Sequence, residues 1–125
     1  MESSMIYKLL AFNISILCFS CAYGGSDEEQ ILKEYFFYRC VNEGHKELDI
    51  GKYDGSLGYI VDSISSSYST IEAISNFAKK TGEIIPTSNY TDKKNVLATC
   101  LSAYESDELE EMIKSAINSD YRSDL

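Results

Sequence analysis

Few side chains in this 125-residue chain have the types that covalent or acid–base chemistry requires: there are four cysteines and a single histidine, His45. Cys40 and His45 are the only candidates for a thiolate nucleophile and the base that would activate it. Their spacing of five places them on different faces of a helix, so we do not expect them to act together. We therefore predict no catalytic residue and a protein that is not an enzyme.

Motifs for metals and cofactors are also missing from the sequence. The segment Gly55-Ser56-Leu57-Gly58 lacks the length and the Lys-Ser/Thr ending of a phosphate-binding loop. The acidic run Asp107-Glu108-Leu109-Glu110-Glu111 lacks the glycine and the alternation of a calcium loop. We interpret this run as the solvated first turn of the last helix, where acids favour the helix dipole. The sequence therefore predicts no cofactor and no metal site.

The composition favours a small, acidic, folded binding protein. Twenty acidic and 11 basic residues give a net charge of −9, which argues against a nucleic-acid surface. The hydrophobic fraction of 44%, with ten tyrosines and five phenylalanines, is too high for a disordered acidic tail. The length allows one domain.

Residues 1–24 have the pattern of a secretory signal peptide. Lys8 precedes an apolar run over residues 9–19, and the small residues Ser20, Ala22 and Gly24 follow. The run is shorter than the roughly 20 residues that a membrane span needs, so we predict no stable span and cleavage after Ala22 or Gly24. One alternative is a lipoprotein acylated at Cys21, although the usual leucine three residues earlier is absent. The other is a cytosolic protein with an apolar first helix.

Cleavage would leave a domain of residues 25–125 with two cysteines, Cys40 and Cys100. Two thiols in an exported domain are typical of one disulfide, because oxidising compartments form and keep such bonds. The alternative is a pair of free buried thiols.

The periodicity of the apolar residues predicts an all-α fold: a single small domain of about five short amphipathic helices. The first helix begins after Ser26, in a capping box with Glu29, and ends near Gly44. The second runs through Leu57 to Tyr68, and the third begins with a capping box, Ser69-Thr70-Ile71-Glu72, and ends at Gly82. The apolar positions of the last two helices are Val96, Leu97, Cys100, Leu101, Tyr104, Leu109, Met112, Ile113, Ala116 and Ile117.

Two exposed segments are candidate partner-binding surfaces. The irregular stretch 83–92 offers Glu83, Asn89 and Tyr90, which combine an aromatic anchor with polar groups. The turn between the fourth and fifth helices offers Glu105 and Asp107. Within that turn we interpret Tyr104 and Ser106 as scaffold, and we rank the first segment ahead of the second.

The turn belongs to a longer motif, C-L-x-x-Y-x-S-x-E-L-E, over residues 100–110. Together with Arg39-Cys40, this motif resembles the immunity proteins of type VI secretion amidase effectors, in particular the partners of the fourth amidase family. The likeness extends over roughly residues 26–118, and the serine-rich second helix departs from the family pattern.

The resemblance implies a periplasmic protein, in many cases a homodimer, that binds a toxin and covers its active site. The cognate toxin would be a cysteine peptidase-like amidase that cuts peptidoglycan cross-links. Two other classes remain: an envelope lipoprotein or adaptor without inhibitory role, and a small secreted enzyme of unfamiliar type.

Overall fold

The computed structural model describes residues 27–123, and within this range it is an all-α domain, as predicted. The α-helices are α1 (Asp27–Gly44), α2 (Ser56–Ser63), α3 (Tyr68–Glu83), α4 (Val96–Tyr104) and α5 (Asp107–Ser123). Two 3₁₀ turns, Lys46–Leu48 and Ile50–Lys52, follow α1. The predicted signal peptide, the alternative acylation site at Cys21 and the Ser26 cap all lie outside the described residues.

Helix α1 is the centre of the domain, because it contacts each of the other four helices and packs most extensively on α3. Its predicted apolar stripe faces the core, where Leu32, Phe36 and Cys40 are completely buried. The other helices add Ile74 and Ala78 from α3, and Leu109 and Ile113 from α5. The amphipathic character that the sequence predicts for the first, third and fifth helices is therefore confirmed.

The predicted disulfide is present, and it joins α1 to α4. The sulfur atoms of Cys40 and Cys100 lie 2.08 Å apart, and their Cα atoms lie 5.8 Å apart. Both residues are completely buried within the hydrophobic core. The bridge therefore fixes a helix that contributes only Val96 and Cys100 to the buried core.

The boundary between α2 and α3 differs from the sequence prediction. Tyr68, predicted on the second helix, is the first residue of α3 and is 78% exposed. The N-cap of α3 is Ser67, whose hydroxyl accepts a hydrogen bond from Thr70 N at 3.3 Å. The capping box predicted at Ser69 is therefore wrong by two residues.

Side chains distant in sequence hold this boundary in place. The Glu28 carboxylate of α1 accepts hydrogen bonds from the backbone N–H groups of Ser65 and Ser66 at 3.0 and 2.7 Å. The Asp120 carboxylate of α5 accepts from Ser67 N at 3.0 Å and from the buried Thr70 hydroxyl at 2.8 Å. The serine-rich segment thus ends α2 because its polar groups bond to α1 and α5.

Candidate functional site

Residues 84–95 form a hairpin-like loop between α3 and α4. Thr87 and Lys94 pair as an isolated antiparallel bridge. Ser88 N donates to Lys93 O at 2.8 Å, and Asn95 N donates to Pro86 O at 3.1 Å. The two arms therefore hold each other, although this stretch lacks any helical periodicity.

Tyr90 lies at the tip of this loop and is 96% exposed, as predicted. Its backbone N–H donates to the Ser88 hydroxyl at 3.1 Å, and Lys93 N donates to the Thr91 hydroxyl at 3.3 Å across the turn. Asn89 beside it is also exposed. Hydrogen bonds within the loop thus fix the backbone that presents the Tyr90 ring to solvent.

The base of the loop is attached to the core, which the sequence did not predict. Ile85 is 7% exposed and belongs to the hydrophobic core cluster. Glu83 is the last residue of α3 rather than part of the irregular segment. Its carboxylate lies 4.0 Å from Lys79 Nζ in a solvent-exposed pair, so Glu83 is accessible at the base of the loop and Tyr90 at its tip.

The second candidate segment, between α4 and α5, has two exposed acidic residues on either side of a hydrogen-bonded serine. Glu105 and Asp107 are exposed. Between them, the Ser106 hydroxyl accepts from Leu109 N at 3.2 Å and donates to Ala103 O at 2.6 Å, which caps the start of α5.

Tyr104 is also part of the scaffold, as predicted. Its hydroxyl accepts from Gln30 Nε2 at 2.9 Å, and its ring makes an edge contact with Phe37 at a centroid distance of 6.0 Å. Four residues of the motif over residues 100–110 therefore have structural roles. Cys100 forms the disulfide, the Tyr104 ring contacts Phe37, Ser106 caps α5 and Leu109 is buried.

A groove lies between α3 and α4, and its lining includes Ile84 and Ser106 from the two candidate segments but none of the five candidate residues. We call it the α3–α4 groove; its α3 side and the loop contribute Phe77, Lys80, Thr81, Ile84 and Asn95. Its α4 side and the following turn contribute Ala98, Thr99, Ser102, Ala103, Ser106 and Glu108. Helix α4, which forms one side of this groove, has nine residues and is therefore roughly 13 Å long.

Charged side chains lie within the α3–α4 groove and next to it in the chain. Its lining contains Lys80 on the α3 side and Glu108 after the turn. The exposed carboxylates Glu105 and Asp107 flank the same turn.

The outer face of α4 contradicts the sequence prediction. Leu97 and Leu101 were predicted on a core-facing stripe, but they are 61% and 48% exposed. Apolar residues occupy more than one face of this helix, so its periodicity does not distinguish the buried face, which Val96 and Cys100 occupy.

Leu101 also lines a second groove, on the other side of α4. We call it the α1–α4 groove; it is lined by Glu34, Phe37, Tyr38, Asp54, Ser56, Ile60, Leu101 and Tyr104. Hydrogen bonds from Ser56 lower the pKa of the Asp54 carboxyl below its usual value, so this side chain is anionic at neutral pH. Sequence reasoning missed this groove, because three helices and the turn before α2 contribute to it.

The residues considered above for catalysis or metal binding are not grouped into a site. Cys40 is bonded to Cys100 and has no free thiol. His45 Nδ1 lies 3.8 Å from the Glu47 carboxylate on the surface. Within residues 27–123, no three His, Cys, Asp or Glu side chains are grouped in a way that could hold a metal ion. In the same range, none of the helices is both long enough and apolar enough to cross a membrane.

Comparison of the chain with protein-family models, with characterised proteins and with solved structures finds no match. The likeness of residues 100–110 to amidase immunity proteins therefore stays a prediction.

Proposed function

We propose that this protein is a periplasmic immunity protein that binds a type VI secretion peptidoglycan amidase and blocks its active site. The observation that carries the proposal is Tyr90, almost completely exposed at the tip of a hydrogen-bonded loop that is attached to the core. A protruding aromatic side chain on a fixed backbone suits insertion into a cleft, because little conformational entropy is lost on binding. The likeness of residues 100–110 to the amidase immunity family supplies the class of partner.

The buried disulfide supports the periplasmic location. A bond between Cys40 and Cys100 forms and persists in an oxidising compartment. The amidase substrate, peptidoglycan, lies in the same compartment. An inhibitor that folds there would meet the toxin where the toxin acts.

The charge of the protein supports fast association with a basic toxin. The chain carries a net charge of −9, and exposed carboxylates flank the turn between α4 and α5. Opposite charges on the toxin cleft would steer the encounter and raise the association rate, and added salt would reduce that rate.

The test is the double variant Asn89→Ala/Tyr90→Ala, measured against the cognate amidase, which the proposal expects to be encoded beside this gene. We expect its affinity to fall by more than about 1 kcal/mol, because the aromatic anchor is removed. The melting temperature should barely change, since both side chains are exposed. The measurements are calorimetric titration, inhibition of sacculus hydrolysis, and thermal unfolding.

Tyr121→Ala is the matched control, because Tyr121 is 76% exposed on α5 and lies outside both grooves. Equal binding by the double variant, the control and the wild type would move the inhibitory surface to Glu105 and Asp107. A wild-type protein that neither binds nor inhibits the neighbouring amidase would contradict the proposed function. The envelope adaptor or lipoprotein would then be the leading alternative.

A further inference from the structure

We propose that the α1–α4 groove binds a basic side chain, flanked by a bulky apolar one, on the surface of a partner protein. The partner's identity as the amidase rests on the proposed function. The groove itself is a separate surface from the Tyr90 loop, because it lies between α1, α2 and α4.

The apolar part of the groove is held in position by contacts within the protein. Phe37, Ile60, Leu101 and Tyr104 contribute to its lining. The Tyr104 ring is fixed by its edge contact with Phe37 and by the hydrogen bond from Gln30. Leu101 remains 48% exposed there, and Leu97, one turn earlier on α4, is 61% exposed. A bulky apolar side chain would remove this surface from water, which is favourable in proportion to the area covered.

The charged part of the groove favours a positively charged side chain of the partner. Glu34 and Asp54 contribute carboxylates to the lining, and no Lys or Arg among the described residues lines it. Lys33 supplies one cation near the groove, with its Nζ 4.8 Å from the centroid of the Tyr104 ring. A cationic side chain of the partner beside either carboxylate would gain charge-assisted hydrogen bonds, and an anionic side chain would be repelled.

The groove also lies beside the α3–α4 groove, on the other side of helix α4. Leu101 belongs to the α1–α4 groove, and its neighbours Ser102 and Ala103 belong to the α3–α4 groove. Helix α4 is therefore a ridge with a groove on each side. A partner that inserts Tyr90 into its cleft could contact the far side of the same ridge with a basic, apolar-flanked segment.

The first experiment compares two charge-matched double variants in binding to the neighbouring amidase. Glu34→Gln/Asp54→Asn removes two charges from the groove, and the Asn side chain keeps an oxygen that can accept from Ser56 N. Asp62→Asn/Glu72→Gln removes two exposed charges elsewhere. We expect the groove variant to weaken binding about tenfold more than the control. Leu101→Ala should also weaken binding, whereas Leu48→Ala, which truncates a leucine that is 57% exposed outside the groove, should not.

Equal losses in the two double variants would mean that only overall charge matters, and this result would overturn the proposal while leaving the proposed function intact. The second experiment does not depend on the amidase. It titrates the isotope-labelled protein with acetyl-Leu-Arg-Phe-amide, and with acetyl-Leu-Glu-Phe-amide as control, followed by NMR. We expect the arginine peptide, and not the glutamate peptide, to cause saturable chemical-shift changes at Phe37, Ile60 and Leu101. These changes should be absent from the Glu34→Gln/Asp54→Asn variant.

If the amidase does not bind the wild-type protein, the proposed function fails and the peptide titration decides the groove by itself. Shifts with both peptides, or with neither, would overturn the proposal.

Discussion

At the scale of single residues, two glycines within helices differ in the space around them: one is crowded and the other is open. A Cβ added at Gly82 would lie 2.7 Å from Glu43 Cβ and 2.9 Å from the Cys40 carbonyl oxygen, so Gly82 permits the close approach of α3 to α1. A Cβ added at Gly58 in α2 would meet nothing within 4 Å.

We therefore expect opposite effects of alanine at these two positions. Gly82→Ala should lower the free energy of unfolding by about 1–2 kcal/mol, because a backbone oxygen cannot move aside as a flexible side chain can. Gly58→Ala should raise it by about 0.5–1 kcal/mol, since it removes backbone freedom from the unfolded chain without a clash. Denaturant titration of both variants measures the difference, and a loss of stability in both would contradict this account.

The candidate site shows what residue patterns can and cannot predict. Exposure of Tyr90 follows from its polar, aperiodic surroundings, which is local information. The exposure of Leu97 and Leu101 does not follow, because apolar residues occupy more than one face of α4 and the pattern alone does not select the face that Val96 and Cys100 bury. Ile85 was missed for a related reason: a single apolar residue in a loop has no periodicity to indicate burial.

At the scale of elements, the helices themselves were predictable and the α2–α3 boundary was not. Serines at positions 65–67 have a weak local preference to end a helix. Their actual partners, Glu28 and Asp120, are 37 to 53 residues away along the chain. A sequence pattern limited to neighbouring residues therefore placed Tyr68 on the wrong helix.

The Asp120 contacts predict a pH dependence of stability. Hydrogen bonds from Ser67 first, and then from Thr70, lower the pKa of Asp120 from its usual value of 3.8. A carboxylate whose pKa is lower in the folded state stabilises the fold fully above its unfolded pKa, and this contribution is lost as the pH falls through the folded value.

Asp120→Asn should therefore lower the melting temperature at pH 7, because the neutral amide is a weaker acceptor at the start of α3. The difference in melting temperature between this variant and the wild-type protein should narrow as the pH falls below about 4. Asp62→Asn, at an exposed carboxylate of α2, is the control and should leave the melting temperature nearly unchanged. Thermal scans across this range measure both variants, and a gap for Asp120→Asn that stays constant to pH 2 would contradict the role of its charge.

At the scale of the whole molecule, the disulfide connects the core to the surface proposed for binding. Cys40 lies in the central helix, and Cys100 lies in α4, the ridge between the two grooves. Apart from Val96 and Cys100, helix α4 has no fully buried residue. Helix α5 also has two buried residues, Leu109 and Ile113, but neither is covalently bonded to another helix, whereas α4 is bonded to α1 through Cys100.

The last prediction concerns loss of that bond. Cys40→Ala/Cys100→Ala should lower the free energy of unfolding by about 4 kcal/mol in the chain-entropy model, since the bridge spans 60 positions of the chain. Alanine avoids the unsatisfied hydroxyls that serine would place in a completely buried site. Reduction of the wild-type protein should produce a similar loss, and the reductant should leave the double variant unchanged. If α4 depends on the bridge, amide exchange should rise first over residues 96–104, before it rises in α1 or α3. Unchanged exchange in α4 would show that Val96 and the adjoining turns hold this helix without the disulfide.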